Sequence, residues 1–301
     1  MSLVTVADRM HFEKYGYVVI EDAVPPDKCE AVVDDVWNFT GKDRNDRDTW
    51  YEPPEGLDEH FQSVGAMEMY FAPSMWDTRQ DPGLYQAFAE LLGYENLWVS
   101  IDRVNFTPPS DPEHPEIDRA LPLHWDMDAS TIPEKEIQRA GTSHVPYGVQ
   151  GVLHLRDTSV DQGGFRCVPE VYQDLYEGFL EEHNEGWEDG DVDIGDREIV
   201  DVGGGQGDIL IWNRLLLHAN GRNTTDEPRF AQYITMFPER FNERDARRNR
   251  IRTWREREAI ATPGDGDPRG YEKEQHPPAD LTPLGRKLLG ADPWSGWLDF
   301  A

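Results

Sequence analysis

A chain of 301 residues with 38% hydrophobic and 11% aromatic content can bury a full core, and it holds no apolar run of the roughly 18 to 20 residues that spans a membrane. Its 59 acidic residues against 29 basic ones leave a formal charge of −30, which argues against nucleic acid as a partner, since phosphate binding rests on clustered Lys and Arg. The acids are spread along the whole chain and Lys is scarce, the pattern of a salt-in halophile in which dense counterions screen self-repulsion. The N-terminus shows no basic flank followed by an apolar segment. Cys29 and Cys167 are too few for a disulfide framework, so the expected setting is cytoplasmic.

The predicted elements begin with an amphipathic helix, "VADRMHFEKYG", closed by Gly16. A β-branched strand follows, "YVVIEDAV", then a helix, "PPDKCEAVVDDVWNF", with Pro near its N-terminus. Gly41 to Gly65 is polar and reads as a long surface loop. In "DPGLYQAFAELLG", Asp81 and Pro82 start a helix, Leu84, Phe88 and Leu91 recur at helical spacing, and Gly93 stops it.

Then the texture changes. "LWVSIDRVNFT", "LPLHWDMD", "YGVQGVLHLRD", "GGFRCVPE", "GDILIWNRLLLHAN" and "PRFAQYITMFP" are short runs separated by turn residues, as in a β-sandwich or barrel. An acidic insert from Tyr172 to Asp196 reads as a helix and a loop. After Pro238 the chain is Arg-rich and helical, and "TPLGRKLLG" forms a last helix from the N-cap Thr282 to Gly290. The expectation is one domain over 1–301, mainly β with flanking helices. Its helical part covers 1–93, its β core about 94–238, and its C-terminal extension 239–301, placed to cap a site or to mediate dimerisation.

Two segments carry the chemistry. If "LPLHWDMD" is a strand, His124, Asp126 and Asp128 face one side. Residues two apart are roughly 6.5 to 7 Å apart and can share one metal, whereas residues four apart, at roughly 13 Å, cannot. That favours Asp126 over Asp128. "GDILIWNRLLLHANGRNTTDEPRFAQYITMF" reads as a hairpin with "NGRNTTDEP" as its turn, which would bring His218 beside Arg229. Two His and one carboxylate with open positions suit non-haem Fe(II), and a buried Arg nearby would hold a carboxylate in bidentate fashion, pointing to a dicarboxylate co-substrate. Other patterns are weaker. His114 and Glu116 lie among prolines and read as a loop, "VGGGQGD" lacks the Lys of a phosphate loop, and Trp125 and Trp212 read as core. A jelly-roll protein that binds metal or ligand without catalysis, or a cupin-like metalloenzyme without 2-oxoglutarate, stay open as alternatives.

"FEKYGYVVIEDAVPPDKCEAVV", "HWD" and "GDILIWNRLLLHANGRNTTDEPRFAQYI", in that order, resemble the phytanoyl-CoA dioxygenase family of Fe(II)/2-oxoglutarate oxygenases over roughly Val6 to Pro238. The family's His-x-Asp, distal His and Arg eleven residues on match His124, Asp126, His218 and Arg229. The resemblance implies a double-stranded β-helix (jelly-roll, cupin-like) core with iron on His124, Asp126 and His218. Arg229 would bind the far carboxylate of 2-oxoglutarate, with Asn105, Asn220 and Arg103 nearby. It further implies hydroxylation of a small or lipid-like molecule by O2, with release of CO2 and succinate. Halogenating relatives carry a small residue in place of the aspartate, so Asp126 favours hydroxylation. The family's Pro-Gly-Ser-His element is replaced by "VPEVYQ", Val168 to Gln173, which leaves the pocket wall and the substrate open.

Overall fold

The short apolar runs form three antiparallel sheets in the computed structural model, which describes residues 2–52, 65–115, 120–126, 148–174, 194–240, 243–258 and 267–294. The strands are β1 Tyr17–Ile20, β2 Ala66–Met67, β3 Leu97–Val99, β4 Val104–Thr107, β5 Val149–His154, β6 Phe165–Cys167, β7 Val200–Val202, β8 Ile209–Asn213, β9 His218–Asn220, β10 Arg229–Tyr233 and β11 Met236–Pro238. The helices are α1 Val6–Tyr15, α2 Pro26–Thr40, α3 Pro73–Arg79, α4 Pro82–Leu92, α5 Pro169–Asp174, α6 Arg244–Glu256, α7 Tyr271–Gln275 and α8 Pro283–Leu289. A six-stranded sheet runs β1-β8-β5-β10-β4-β2, a three-stranded sheet β7-β6-β9, and a two-stranded sheet β11-β3.

Strand alternation gives the major sheet two unlike faces. On the outer face, Val18, Ile20, Leu153, Ile211 and Phe230 join one core with α2 and α4. Trp37 of α2 lies 5.3 Å from Phe106 and 5.4 Å from Phe230, ring to ring. Gly151 of β5 permits this cover, because a Cβ there would sit 2.9 Å from the Phe88 ring of α4 and 2.5 Å from the Ile234 carbonyl oxygen. On the inner face, Val152, Leu210, Trp212 and Ala231 share a second core with Phe165, Cys167 and Val202 of the three-stranded sheet. The site lies between these two sheets.

Local signals set the helix ends as expected. Thr5 and Asp8 form a capping box at α1, which stops at Gly16 (φ 81°). Asp81 caps α4, and Thr282 caps α8. Three expectations change. Helices hold more of the described residues than strands, so the fold is mixed α and β rather than mainly β. The outer face of a wide sheet needs as much cover as its inner face, and helices supply it. "GDILIWNRLLLHAN" is two strands in different sheets, because Asn213 makes a turn between them. Its backbone oxygen accepts from Leu216 N (2.9 Å) and its Oδ1 from Leu215 N (2.9 Å). "LWVSIDRVNFT" likewise divides into β3 and β4.

The C-terminal extension packs against the two-stranded sheet. Arg250 of α6 donates from Nε to the Leu289 carbonyl and from Nη2 to the carbonyls of Val99 and Leu288. Glu272 of α7 accepts backbone N–H bonds from Tyr70, Phe71 and Ala72. Most of the acidic insert lies outside the described residues, as do 53–64 of the expected surface loop; the described part of that loop holds a 3-10 helix, Arg47–Trp50, with Trp50 and Tyr51 buried.

Candidate active site

His218 sits in β9 between two neighbours: Cys167 of β6 on one side and His124, through an isolated bridge, on the other. His124 and His218 exchange both backbone bonds, His124 N to His218 O at 2.9 Å and His218 N to His124 O at 3.1 Å. Directly paired residues of an antiparallel ladder point to one face. The two rings accordingly lie 4.8 Å apart. Each imidazole turns Nδ1 to a backbone carbonyl, His124 to Pro122 O (2.8 Å) and His218 to Leu216 O (2.9 Å). A carbonyl only accepts, so Nδ1 carries the proton and Nε2 is left as a ligand atom.

Asp126 faces both Nε2 atoms. Its Oδ1 lies 3.5 Å from His124 Nε2 and its Oδ2 lies 3.5 Å from His218 Nε2. One ligand atom from each of the three residues falls within 4.8 Å of the others. Burial opposes the charged form of Asp126, but the two imidazoles and the Gln150 amide beside it hold its carboxyl well below the usual range. The Asp126 carboxylate beside it raises the His124 pKa, against the effect of burial. Of the strand expected over "LPLHWDMD", the described residues 121–126 show a single bridge at His124 and a bend at Asp126. Backbone anchors take the place of a ladder: Trp125 Nε1 donates to Leu215 O (2.8 Å) and Arg214 Nη2 to Asp126 O (3.2 Å). Asp128, weighed against Asp126 in the sequence, lies outside the described residues.

Arg229 and His218 are not hairpin partners, which corrects the expectation. β9 belongs to the three-stranded sheet and β10 to the major one, and the residues meet because these sheets face each other across one pocket. Arg229 is 1% exposed. Its Nη1 donates to Asn105 Oδ1 (3.2 Å), while Nε and Nη2 have no hydrogen-bond partner among the described residues. Burial lowers its pKa, and Tyr233 opposes that shift. A buried guanidinium with open donors inside a pocket suits an anionic guest.

The remaining expected residues fall around it. Asn105 is fully buried in β4, opposite Ala231 of β10, and its Oδ1 also accepts from Thr107 Oγ1 (2.7 Å). Asn220, two residues after His218, lines the same pocket and donates from Nδ2 to the Tyr233 hydroxyl (3.2 Å). Arg103 lines the pocket as an ion pair, with Nη1 3.2 Å from Glu68 Oε1. Trp212 is core and pocket wall together, its ring 5.2 Å from that of His218. Trp125 packs in a small cluster with Val168, Val171 and Leu217. Sequence reasoning passed over Gln150, Asp102, Tyr233 and Thr235, all pocket residues. For Gln150 the signal was present, a polar residue in the alternating strand "VQGVLH". No described residue of the C-terminal extension lines the pocket.

The sequence profile of the family described as phytanoyl-CoA dioxygenase (PhyH) matches residues 12–231. The chain belongs to this family. A Dictyostelium discoideum protein with a provisional phytanoyl-CoA dioxygenase name is 25% identical over 267 aligned positions, covering 75% of this chain and 74% of that one. Among solved structures, a protein of unassigned function from Escherichia coli, JW0805, superposes with a TM-score of 0.63 at 15% identity, over 95% of this chain and 82% of that one. HygX from Streptomyces hygroscopicus, solved with nickel and 2-oxoglutarate bound, gives a TM-score of 0.51 at 18% identity, over 78% and 88%.

As a PhyH protein, this chain is of the Fe(II)/2-oxoglutarate oxygenase type, with antiparallel sheets like those of its jelly-roll neighbours. Where the family sequence has Pro-Gly-Ser-His, this PhyH chain starts helix α5 at Pro169. Tyr172 of that helix packs on Gly16, whose missing Cβ would lie 2.9 Å from the ring, so the replacement serves the joint with α1.

Proposed function

We propose that this protein is an Fe(II)- and 2-oxoglutarate-dependent hydroxylase of a small molecule, built on a jelly-roll core. One observation carries the proposal: a His–Asp–His donor set with both Nε2 atoms turned inward shares a pocket with a buried Arg whose Nε and Nη2 are open. His124, Asp126 and His218 are the residues that would hold the iron, a donor set with the composition of the two-histidine, one-carboxylate facial triad. Iron with 2-oxoglutarate supplies the activation of O2, releasing CO2 and succinate. Arg229 would receive the far carboxylate of 2-oxoglutarate through Nε and Nη2, with its Nη1 held by Asn105. Asn220 adds an amide to the same wall, and Arg103, paired with Glu68, lines the same pocket. The packed rings of Trp212 and Phe165 shield His218 from water. Asp126 fills the position that halogenating relatives leave empty, which supports hydroxylation.

Two further readings attach to this one. The charge of −30 disfavours a polyanionic acyl-CoA substrate at low salt. The same charge supports a halophilic, cytoplasmic setting, in which the melting temperature rises in molar KCl. A flat or falling response to salt removes that inference.

The main test is spectroscopic. Anaerobic Fe(II) with 2-oxoglutarate is expected to give a visible charge-transfer band in the wild type, abolished in Asp126→Ala. A wild-type spectrum unchanged by the additions would overturn the assignment.

A further inference from the structure

Gln150 connects the two halves of the site. It lies on the inner face of β5, in register with Trp212 of β8, and its Nε2 is 2.6 Å from Asp126 Oδ2. A carboxylate oxygen only accepts, so the amide orientation is settled: nitrogen toward Asp126, Oε1 away. Oε1 is buried and has no partner among the described residues.

Asp126 has a fixed backbone and an unfixed side chain. The bridge at His124, the Trp125 indole and the Arg214 guanidinium hold the segment to the three-stranded sheet and the loop before it. None of them touches the carboxylate. The terminal torsion of an Asp is broad, so those anchors do not fix the plane of the carboxylate. The donor that fixes that plane and occupies one oxygen is Gln150, which reaches across from the major sheet.

We infer that Gln150 is a positioning residue for the metal centre: it occupies Asp126 Oδ2 through Nε2 and leaves Oδ1, beside His124 Nε2, as the single oxygen offered to the metal. A carboxylate tied in this way binds through one oxygen instead of two. That keeps a coordination position open for the co-substrates. The inference rests on the metal-centre reading above.

The test uses Co(II) as probe on the full chain, with affinity and the d–d absorption spectrum as readouts. Gln150→Met keeps the length of the side chain and removes the donor. It is expected to weaken Co(II) binding about 10- to 100-fold and to alter the spectrum. The metal-free melting temperature should stay the same, because the Asp126 side chain is 42% exposed and water can hydrate the released oxygen. Gln150→Glu puts a second carboxylate beside the first and is expected to bind more weakly still at neutral pH. The inference is overturned if Gln150→Met matches the wild type in affinity and spectrum. It is equally overturned if the Glu variant binds more tightly, as an added ligand would, or if the metal-free melting temperature of Gln150→Met falls, which would make Gln150 a structural brace. Failure of the wild type itself to bind Co(II) would instead sink the metal-centre reading.

Discussion

Arg79 and Arg229 are 0% and 1% exposed, yet their surroundings differ in kind. Arg79, on α3 in the helical layer, donates from Nη1 to the Tyr70 carbonyl (2.6 Å) and from Nη2 to the Asp102 carbonyl, with the charges of Asp102 and Glu272 nearby. Arg229, on the inner face of the major sheet, has one neutral amide partner and two open nitrogens among the described residues. Burial lowers the pKa of both, that of Arg79 to about 10. The first is a brace: both of its terminal nitrogens are bonded to carbonyls, only Nε is open among the described residues, and two carboxyl groups lie nearby. The second carries a charge that no carboxylate among the described residues pairs with, which is how a binding site differs from a core. The same contrast runs through the two faces of the sheet: apolar contact outside, and inside a set of polar groups with bonds unmade.

Removing each arginine should break that comparison in opposite directions. Arg79→Met leaves buried carboxylate charge uncompensated and is expected to cost about 3 to 5 kcal/mol of stability, read by urea denaturation. The smaller effect belongs to Arg229→Met, which is expected to raise the 2-oxoglutarate dissociation constant about 100-fold, roughly 2.7 kcal/mol. Its stability should hold or rise, because the lost group was a buried cation with a single bond. A loss of stability in Arg229→Met equal to that in Arg79→Met would make the two residues alike and remove the distinction.

How much of this could be read from residues alone depends on range. Helix ends were legible because Thr5, Asp81, Thr282, Gly16 and Gly93 act on their own neighbours. The four residues His124, Asp126, His218 and Arg229 were legible because their types and spacing are unusual together. The route by which they meet was not. An apolar run broken by Asn213 has the local pattern of one strand, and only the second sheet shows why the chain turns there. Gln150 was visible as a polar break in an alternating strand, but alternation cannot say which face is inner until the partners of β5 are known. The open nitrogens of Arg229 belong to tertiary structure alone.

His154 offers the mildest test of the contrast between the faces. It lies on the inner side, opposite Ala231 of β10, fully buried, and neither ring nitrogen has a hydrogen-bond partner among the described residues. Burial, aided by the Arg229 charge, lowers its pKa from 6.5 to about 3. The folded protein therefore keeps this ring neutral while the unfolded chain takes up a proton as pH falls below 6.5. Stability from this group is complete above that pH and is lost progressively as pH falls toward 3, at about 1.4 kcal/mol per unit. At pH 5.5 the loss should be about 1.4 kcal/mol relative to neutral pH. His154→Leu, which fills similar space without a titrating group, should flatten this part of the stability profile measured by denaturation between pH 7 and pH 5. An unchanged slope in the variant would mean that His154 binds its proton equally in both states, through a partner on the inner face that leaves it less isolated than Arg229.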